Sequence, residues 1–373
     1  MPRRILSLNA GSSSLRVAVF DVTSDAETQL ASAHVERLEA GGHRAALERC
    51  LLGLAPLTGS LSAVSHRIVH GGVRHTSPER LTAMLRSDLD TLVDVAPDHL
   101  PAALAVIDAA TDAFPDATHV ACFDTAFHRD LPMTAAMLPL PRRYWDAGVR
   151  RFGFHGLSCE YVMRALATLD PRAASGAVVI AHLGNGASMT AVRNGRTMET
   201  TMGFSPVSGL VMGTRSGDID AGALLYVLRH GMDAEQLGTM LAHESGLVGV
   251  SGLSGDMRDL LAVESTEPHA AEAIALFCHA ARKALGGLMA TLGVLDTLVF
   301  TGGIGEHAPT VRQRICGGLA AFGLILAPDA NRANGPVISA QASPVTVRVI
   351  ATDEDRMLAR HAFTVLTGGT TDV

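Results

Sequence analysis

The chain has 373 residues, more than one hydrophobic core usually serves, so two domains are expected. Apolar residues make up 47% but aromatics only 4%, which leaves Ala, Val, Leu and Gly to fill most of the core. The net charge of −7 argues against a sequence-independent nucleic-acid binder, and five cysteines without a C-x-x-C pair suit reduced thiols better than a disulfide framework.

No apolar run approaches the roughly 18 residues of a membrane span. Pro2-Arg-Arg leads straight into a strand pattern with no signal-peptide core, so a cytoplasmic location is expected. In chain order, residues 5–21 read as strand, small polar turn around Gly11, and returning strand. Residues 26–44 read as an edge strand and loop, 44–54 as a helix, and 63–69 as a strand running into His70-Gly71-Gly72. A helix is expected from about Ser87 to before Pro97, and another over 101–114 with Pro at its start. Residues 119–123 form a short strand ending at Asp124. Pro132, Pro139 and Pro141 mark a non-helical passage towards Tyr144.

The second half begins with a helix over 159–168. An apolar strand over 178–181 follows, then a turn at Gly184-Asn185-Gly186 that tolerates φ > 0, a return over 187–192, and a hairpin turn at Asn194-Gly195. This repeats the plan of residues 5–21. Later come a helix over 221–229, a Gly/Ser-rich stretch over 246–256, a helix over 267–292, a strand over 295–300 ending in Thr301-Gly-Gly-Ile-Gly-Glu, a strand over 345–351 and a last helix over 354–366. The reading is α/β with two copies of one unit, each with largely parallel pairing behind an opening hairpin. Tips rich in Gly, Ser and Asn bring backbone N–H groups close to phosphate oxygens, although such residues are common in any turn.

Arg67 and Arg215 both fall beside glycine turns, and two guanidinium forks suit a carboxylate or a phosphoryl group. The alternative is solvation, since 29 of the 30 basic residues are arginine and only Lys283 is lysine. His155 and His182 flank glycines at element ends, where a packing role competes with a chemical one. Asp124 suits either a metal-water ligand or orienter, or a helix N-cap. There is no P-loop, no zinc spacing and no G-x-S-x-G elbow, and the late Gly302 loop lacks the context of a dinucleotide site.

Eight segments together carry a family resemblance. They are Asn9-Ala-Gly-Ser-Ser-Ser-Leu, His66-Arg-Ile-Val-His-Gly-Gly, Cys122-Phe-Asp-Thr-Ala-Phe-His, Arg151-Phe-Gly-Phe-His-Gly, His182-Leu-Gly-Asn-Gly, Met212-Gly-Thr-Arg-Ser-Gly-Asp-Ile-Asp, Gly255-Asp-Met-Arg-Asp and Phe300-Thr-Gly-Gly-Ile-Gly-Glu. In this order they resemble the motif series of the acetate kinase family. The resemblance implies two duplicated actin-like (ribonuclease H-like) α/β lobes with an ATP cleft between them. The N-terminal lobe would span 1–147, with 355–373 packing back on it, and the C-terminal nucleotide-binding lobe would span 148–354.

It further implies phosphoryl transfer between ATP and acetate, Mg²⁺ or Mn²⁺ as cofactor, and a homodimer without nucleic-acid or membrane partners. A kinase of propionate or of another short or hydroxylated acid is the alternative. Carried over by position, Asn9 and Glu354 fall to the metal, and Asp124, His155, Arg215 and His182 to catalysis. Arg67, Val69, Phe154, Pro206 and Asp98 fall to the acid. The nucleotide would take Arg16, His182, Leu183, Gly184, Asn185, Gly186, Asp256, Met257, Arg258, Gly303, Ile304, Gly305, Glu306 and His307. The chain departs from the family pattern at Arg16, usually lysine, at Asp98, usually apolar, at Leu100, usually asparagine, and at His307, usually asparagine. For Asp98 the sequence favours a structural place, turned out to solvent or capping the helix that follows, over pairing with a cation or accepting from a hydroxylated substrate.

Overall fold

A computed structural model describes residues 2–39 and 41–369. The chain divides into two compact units. The first comprises residues 1–129, 156–161 and 353–373, and the second comprises 130–155 and 162–352.

The sheet of the first unit contains β1 (Arg3–Ala10), β2 (Ser14–Val22), β3 (Glu27–Glu36), β4 (Ala63–Ile68), β5 (Glu79–Arg80) and β6 (Thr118–Phe123). Their order is β3-β2-β1-β4-β6-β5. β1 pairs antiparallel with β2, whereas β1, β4 and β6 run parallel. Strand alternation sends side chains to both faces. Leu6, Leu8, Ala10, Val17 and Val19 meet Ala46, Leu47, Val106 and Ala110 of the helices His43–Thr58 and Leu100–Ala113. Ile5, Ala18, Phe20, Val22 and Cys122 meet Leu157 and, from the helix Glu354–Thr367, Met357, Leu358 and Ala362.

The second unit repeats the plan with β7 (Ala177–Leu183), β8 (Ala187–Arg193), β9 (Arg196–Thr200), β10 (Thr297–Thr301) and β11 (Thr346–Val349). The order β9-β8-β7-β10-β11 matches β3-β2-β1-β4-β6 strand for strand, including the antiparallel hairpin and the parallel partners behind it. Asn194 and Gly195 have φ of 51° and 74°, as the β8–β9 turn requires.

Several expected elements differ. The helix placed near 87–96 spans Ala83–Asp90, because the Thr82 hydroxyl accepts from the Leu85 N–H at 3.1 Å and starts it earlier. The passage expected to be non-helical holds Met133–Ala136 and Arg142–Asp146, each starting directly after a proline. The Gly/Ser-rich stretch contains the helix Gly246–Ser251, and Gly302–His307 is itself a helical turn. All five cysteines are buried and unbridged, and no helix of the described residues is long and apolar enough to cross a membrane.

A buried histidine pair lies within the first unit. His66 Nε2 lies 2.9 Å from His119 Nδ1, and His119 Nε2 lies 3.1 Å from the Phe114 carbonyl. The carbonyl requires a proton on His119 Nε2, so His66 donates through Nε2 and keeps an unpartnered lone pair at Nδ1. Burial, with the nearby His119 second, pushes the His66 pKa down to about 3. The native state then binds fewer protons than the unfolded chain below about pH 6.5, so stability falls as pH drops through that window. The slope from this one site is up to about 1.4 kcal/mol per pH unit. Urea titrations at pH 7 and pH 5 are expected to show a smaller pH-dependent loss for His66→Gln than for the parent chain.

Candidate active site

In the first unit the site forms at the carboxyl ends of the parallel strands, where open α/β sheets present their ligand-binding residues. β1 ends beside Asn9, β4 ends beside Arg67, and Asp124 directly follows β6. Arg67 donates through Nε to both Asp124 oxygens at 3.1 Å and through an Nη2 proton to Oδ2 at 2.6 Å. An Nη1 proton goes to Asn9 Oδ1 at 3.2 Å, and Asn9 Nδ2 donates to Glu354 Oε2 at 3.1 Å. Burial pulls the Arg67 pKa down, but the charges of Asp124 and Glu354 outweigh it and hold the guanidinium above its ordinary value. Burial likewise pushes Asp124 up against the pull of Arg67. Thus Asp124, left open by the sequence between a metal-water ligand or orienter and a cap, orients Arg67.

Glu354 opens the final helix behind the cap Asp353, whose carboxylate accepts from the Arg356 N–H at 3.0 Å. Next to it Asp355 is buried, and its Oδ1 has no hydrogen-bond partner. Burial pushes the Asp355 carboxyl up to about 7, with Arg16 pulling it back and Glu354 adding to the rise. Arg16, the register partner of Asn9, is half exposed and sends Nε to within 3.8 Å of Asp355 Oδ2. The amide oxygen of Asn9, the carboxylate of Glu354 and the orphaned Asp355 oxygen are hard-oxygen donors of the kind a divalent cation takes, although no group of three or more His, Cys, Asp or Glu able to hold a metal comes together among the described residues. Asp355 was missed at the sequence level, although the acidic run 353–355 carried the signal.

Asp98 is exposed, as the favoured reading of this residue expects, and His99 occupies the N-cap position of Leu100–Ala113. Val69 is buried just after β4.

In the second unit, β7 and β8 are joined by Gly184-Asn185-Gly186. Neither glycine uses the positive φ it would tolerate; what they provide is close approach. A Cβ on Gly186 would lie 3.3 Å from His155 Nε2 and 3.5 Å from Arg215 Nη1. His155 stacks on His182 at 4.2 Å between ring centroids and engages Ser188 Oγ through Nδ1 at 3.0 Å. His155 has φ of 58°, a left-handed conformation that a non-glycine residue keeps only when its surroundings enforce it. Arg215 also donates to the Pro206 carbonyl at 3.3 Å. Phe154, the residue before His155, is buried.

The nucleotide-loop candidates come together in this unit. The Asn185 carbonyl accepts from the Gly213 N–H at 2.9 Å, and a Cβ on Gly213 would strike Asn185 Oδ1 and approach the Gly255 carbonyl at 3.0 Å. A Cβ on Gly184 would lie 3.9 Å from the Gly303 N, so the 184 and 303 turns face each other. Leu183 and Met257 are buried and have only backbone to offer a ligand. Asp256 caps its helix and forks with the exposed Arg258, Nη2 to Oδ2 at 2.5 Å. Ile304 is half-buried and His307 is exposed. The Glu306 carboxylate turns back to the Gly302 N–H at 2.9 Å, bracing its own turn.

Comparison with known proteins agrees with this geometry. The sequence model of the acetokinase family matches residues 38–360. The chain is 42% identical to an acetate kinase of Methylocella silvestris, over 98% of each chain. Among solved structures it is similar to the acetate kinase of Porphyromonas gingivalis, with a TM-score of 0.88, 32% identity, and coverage of 98% and 100%. A propionate kinase of Francisella tularensis matches with the same TM-score and identity over 96% and 98%. With the duplicated actin-like sheets, the eight ordered motifs and these matches in hand, the chain belongs to the acetokinase family.

Proposed function

We propose that the protein reversibly phosphorylates acetate with ATP by direct in-line transfer. A carboxylate oxygen forms a bond to the γ-phosphorus as the bond to the β-bridging oxygen breaks, giving acetyl phosphate and ADP. The acceptor is already ionised at neutral pH, so no strong general base is needed and catalysis rests on placement and charge neutralisation. The observation that carries the acid assignment is the state of Arg67. Of its five N–H groups, Nε, one on Nη1 and one on Nη2 have partners among the described residues. Two remain for a substrate carboxylate, on a fork already aligned by Asp124.

Arg215 and His182 are assigned to the oxygens of the transferring phosphoryl group, and His155 to holding His182 by stacking. The glycine turns at 184–186 and 303–305, with Asp256 to Arg258, are assigned to ATP. Mg²⁺, or Mn²⁺, would be held by Asn9 and Glu354 and would neutralise charge on the nucleotide phosphates. Arg16, engaged with Asp355, is assigned to the same phosphate end in place of lysine. Val69, Phe154 and Pro206 are assigned to the methyl group of the acid. The cytoplasm is the compartment inferred from the reduced, unbridged cysteines.

A hydroxylamine trap with ATP, Mg²⁺ and acids of one to five carbons tests the reaction, with acetate expected to give the strongest acyl-hydroxamate signal. Arg67→Ala and Asp124→Asn are expected to raise the KM for acetate, whereas Arg215→Ala lowers kcat. The loss at each arginine should be on the order of 2–4 kcal/mol. Near-normal kinetics in both arginine variants would remove the mechanism.

The propionate kinase among the similar structures makes propionate the second reading of the acid. Because Asp98 is exposed, Asp98→Leu is expected to leave the order of kcat/KM for acetate, propionate and glycolate unchanged. A reversal in favour of glycolate in the parent chain, lost in Asp98→Leu, would reassign this carboxylate to the substrate.

We assign a second copy of the chain as the partner of the helix Ala221–Arg229. Its nine residues include Leu224, Leu225, Val227 and Leu228, yet none is buried, and Tyr226 is 61% exposed. Sedimentation is expected to show a dimer, and Leu225→Glu with Tyr226→Glu is expected to yield monomers.

A further inference from the structure

Arg312 is the largest fully buried side chain among the described residues, on the helix Pro309–Cys316. All five of its N–H groups are used. Nε donates to Asn331 Oδ1 at 2.8 Å, and Nη1 donates to the carbonyls of Gly305 and Glu306 at 2.8 and 2.9 Å. Nη2 donates to the Asn331 carbonyl at 2.7 Å and to Asn334 Oδ1 at 2.6 Å. None of the five acceptors is a carboxylate. Burial pushes the Arg312 pKa down, from a starting value high enough for the cation to persist.

A buried cation without a counter-ion is costly unless its surroundings are strongly polar. Here they are two side-chain amide oxygens, the Gly305 and Glu306 carbonyls at the end of the short helix Gly302–His307, and the Asn331 carbonyl near the end of Pro328–Arg332, which also accepts from the Asn334 N–H at 3.2 Å; helix-end carbonyls carry partial negative charge. The first of these helices is the turn assigned to ATP. Its other end is braced by Glu306, whose carboxylate accepts from the Gly302 and Thr352 N–H groups at 2.9 and 3.2 Å. Gly302 has φ of 75°, and a Cβ there would lie 2.8 Å from the Leu183 carbonyl oxygen. Gly303 is exposed, with open space over its Cα, as is His307 at the far end of the turn.

We propose that Arg312 is a positioning residue for the nucleotide: it grips the Gly305 and Glu306 carbonyls, holding the Gly302–His307 turn in the shape that presents Gly303 to ATP. This rests on the assignment of that turn to ATP. Arg312 touches no substrate itself. A lysine at this position would keep the charge but present a point donor in place of the five-donor fork, and could not reach both helix ends in the same plane.

The test measures binding of a fluorescent ADP analogue, steady-state kinetics in both substrates, and amide hydrogen exchange over 302–307, in the whole chain. Arg312→Lys is expected to weaken the analogue and raise the KM for ATP about tenfold or more, with the KM for acetate within about twofold. Exchange should accelerate over 302–307 while β7 and β10 stay protected. Asn334→Gly guards against a folding failure, because Asn334 has φ of 51° and glycine accepts that conformation. It removes one Arg312 acceptor and is expected to show the same nucleotide-only shift at about two- to threefold. Equal losses for both substrates, or unchanged exchange and ADP binding in a folded variant, would overturn the clamp while leaving the nucleotide site intact. If the parent chain fails to bind the ADP analogue, the nucleotide assignment falls and this inference falls with it.

Discussion

The buried Arg67–Asp124 pair is the constraint around which the first unit is arranged. Two charges are removed from water and recover that cost only through a fork at 2.6–3.1 Å. That geometry needs the ends of β4 and β6 in register, which the parallel pairing of Arg67 with Cys122 provides. It also needs Asn9 at the end of β1, one residue beyond the Leu8–His66 pair. A shift of one residue in either strand would reverse the faces and break the set, so the apolar faces that lock the register also align the chemistry. Asp124 lends orientation to Arg67, and two guanidinium protons are left without a partner among the described residues.

The second unit solves a different problem with backbone instead of charge pairs. Asn185, Gly213 and Gly255 pack so closely that a single Cβ on Gly213 would clash. Close approach of several main-chain segments concentrates polar backbone in a small volume, as a ligand rich in phosphate oxygens requires. The imidazoles of His155 and His182 stack beside this surface, and the left-handed conformation at His155 indicates that the surrounding structure holds that ring in place.

The two units share a sheet plan but differ in what they place on it. In the first, the turn after β1 is followed by a half-exposed Arg16 and an acidic helix start; in the second, the turn after β7 faces a helical glycine turn braced from behind by Arg312. Duplication of a scaffold with divergence at strand ends fits an enzyme whose substrates, a small acid and a nucleotide, need different recognition.

The sequence by itself determined the repeated hairpins, the α/β class and the family, because alternation, glycine turns and motif order are local and were legible as such. Arg67, Arg215, Asp124 and the glycine segments could be nominated from the residues around them. Their partners could not. That Asp124 engages Arg67, that Asp355 lies buried beside Glu354, and that Arg312 grips a turn seven residues before it depend on contacts made only after the sheets form. Local rules also left choices open that tertiary packing settled: Gly184 and Gly186 serve close approach rather than positive φ, and Asp98 is turned out to solvent while His99 takes the N-cap position. Propensity and periodicity act along the chain, whereas desolvation and hydrogen-bond satisfaction act across it, so the chemistry of the site was decided by the fold.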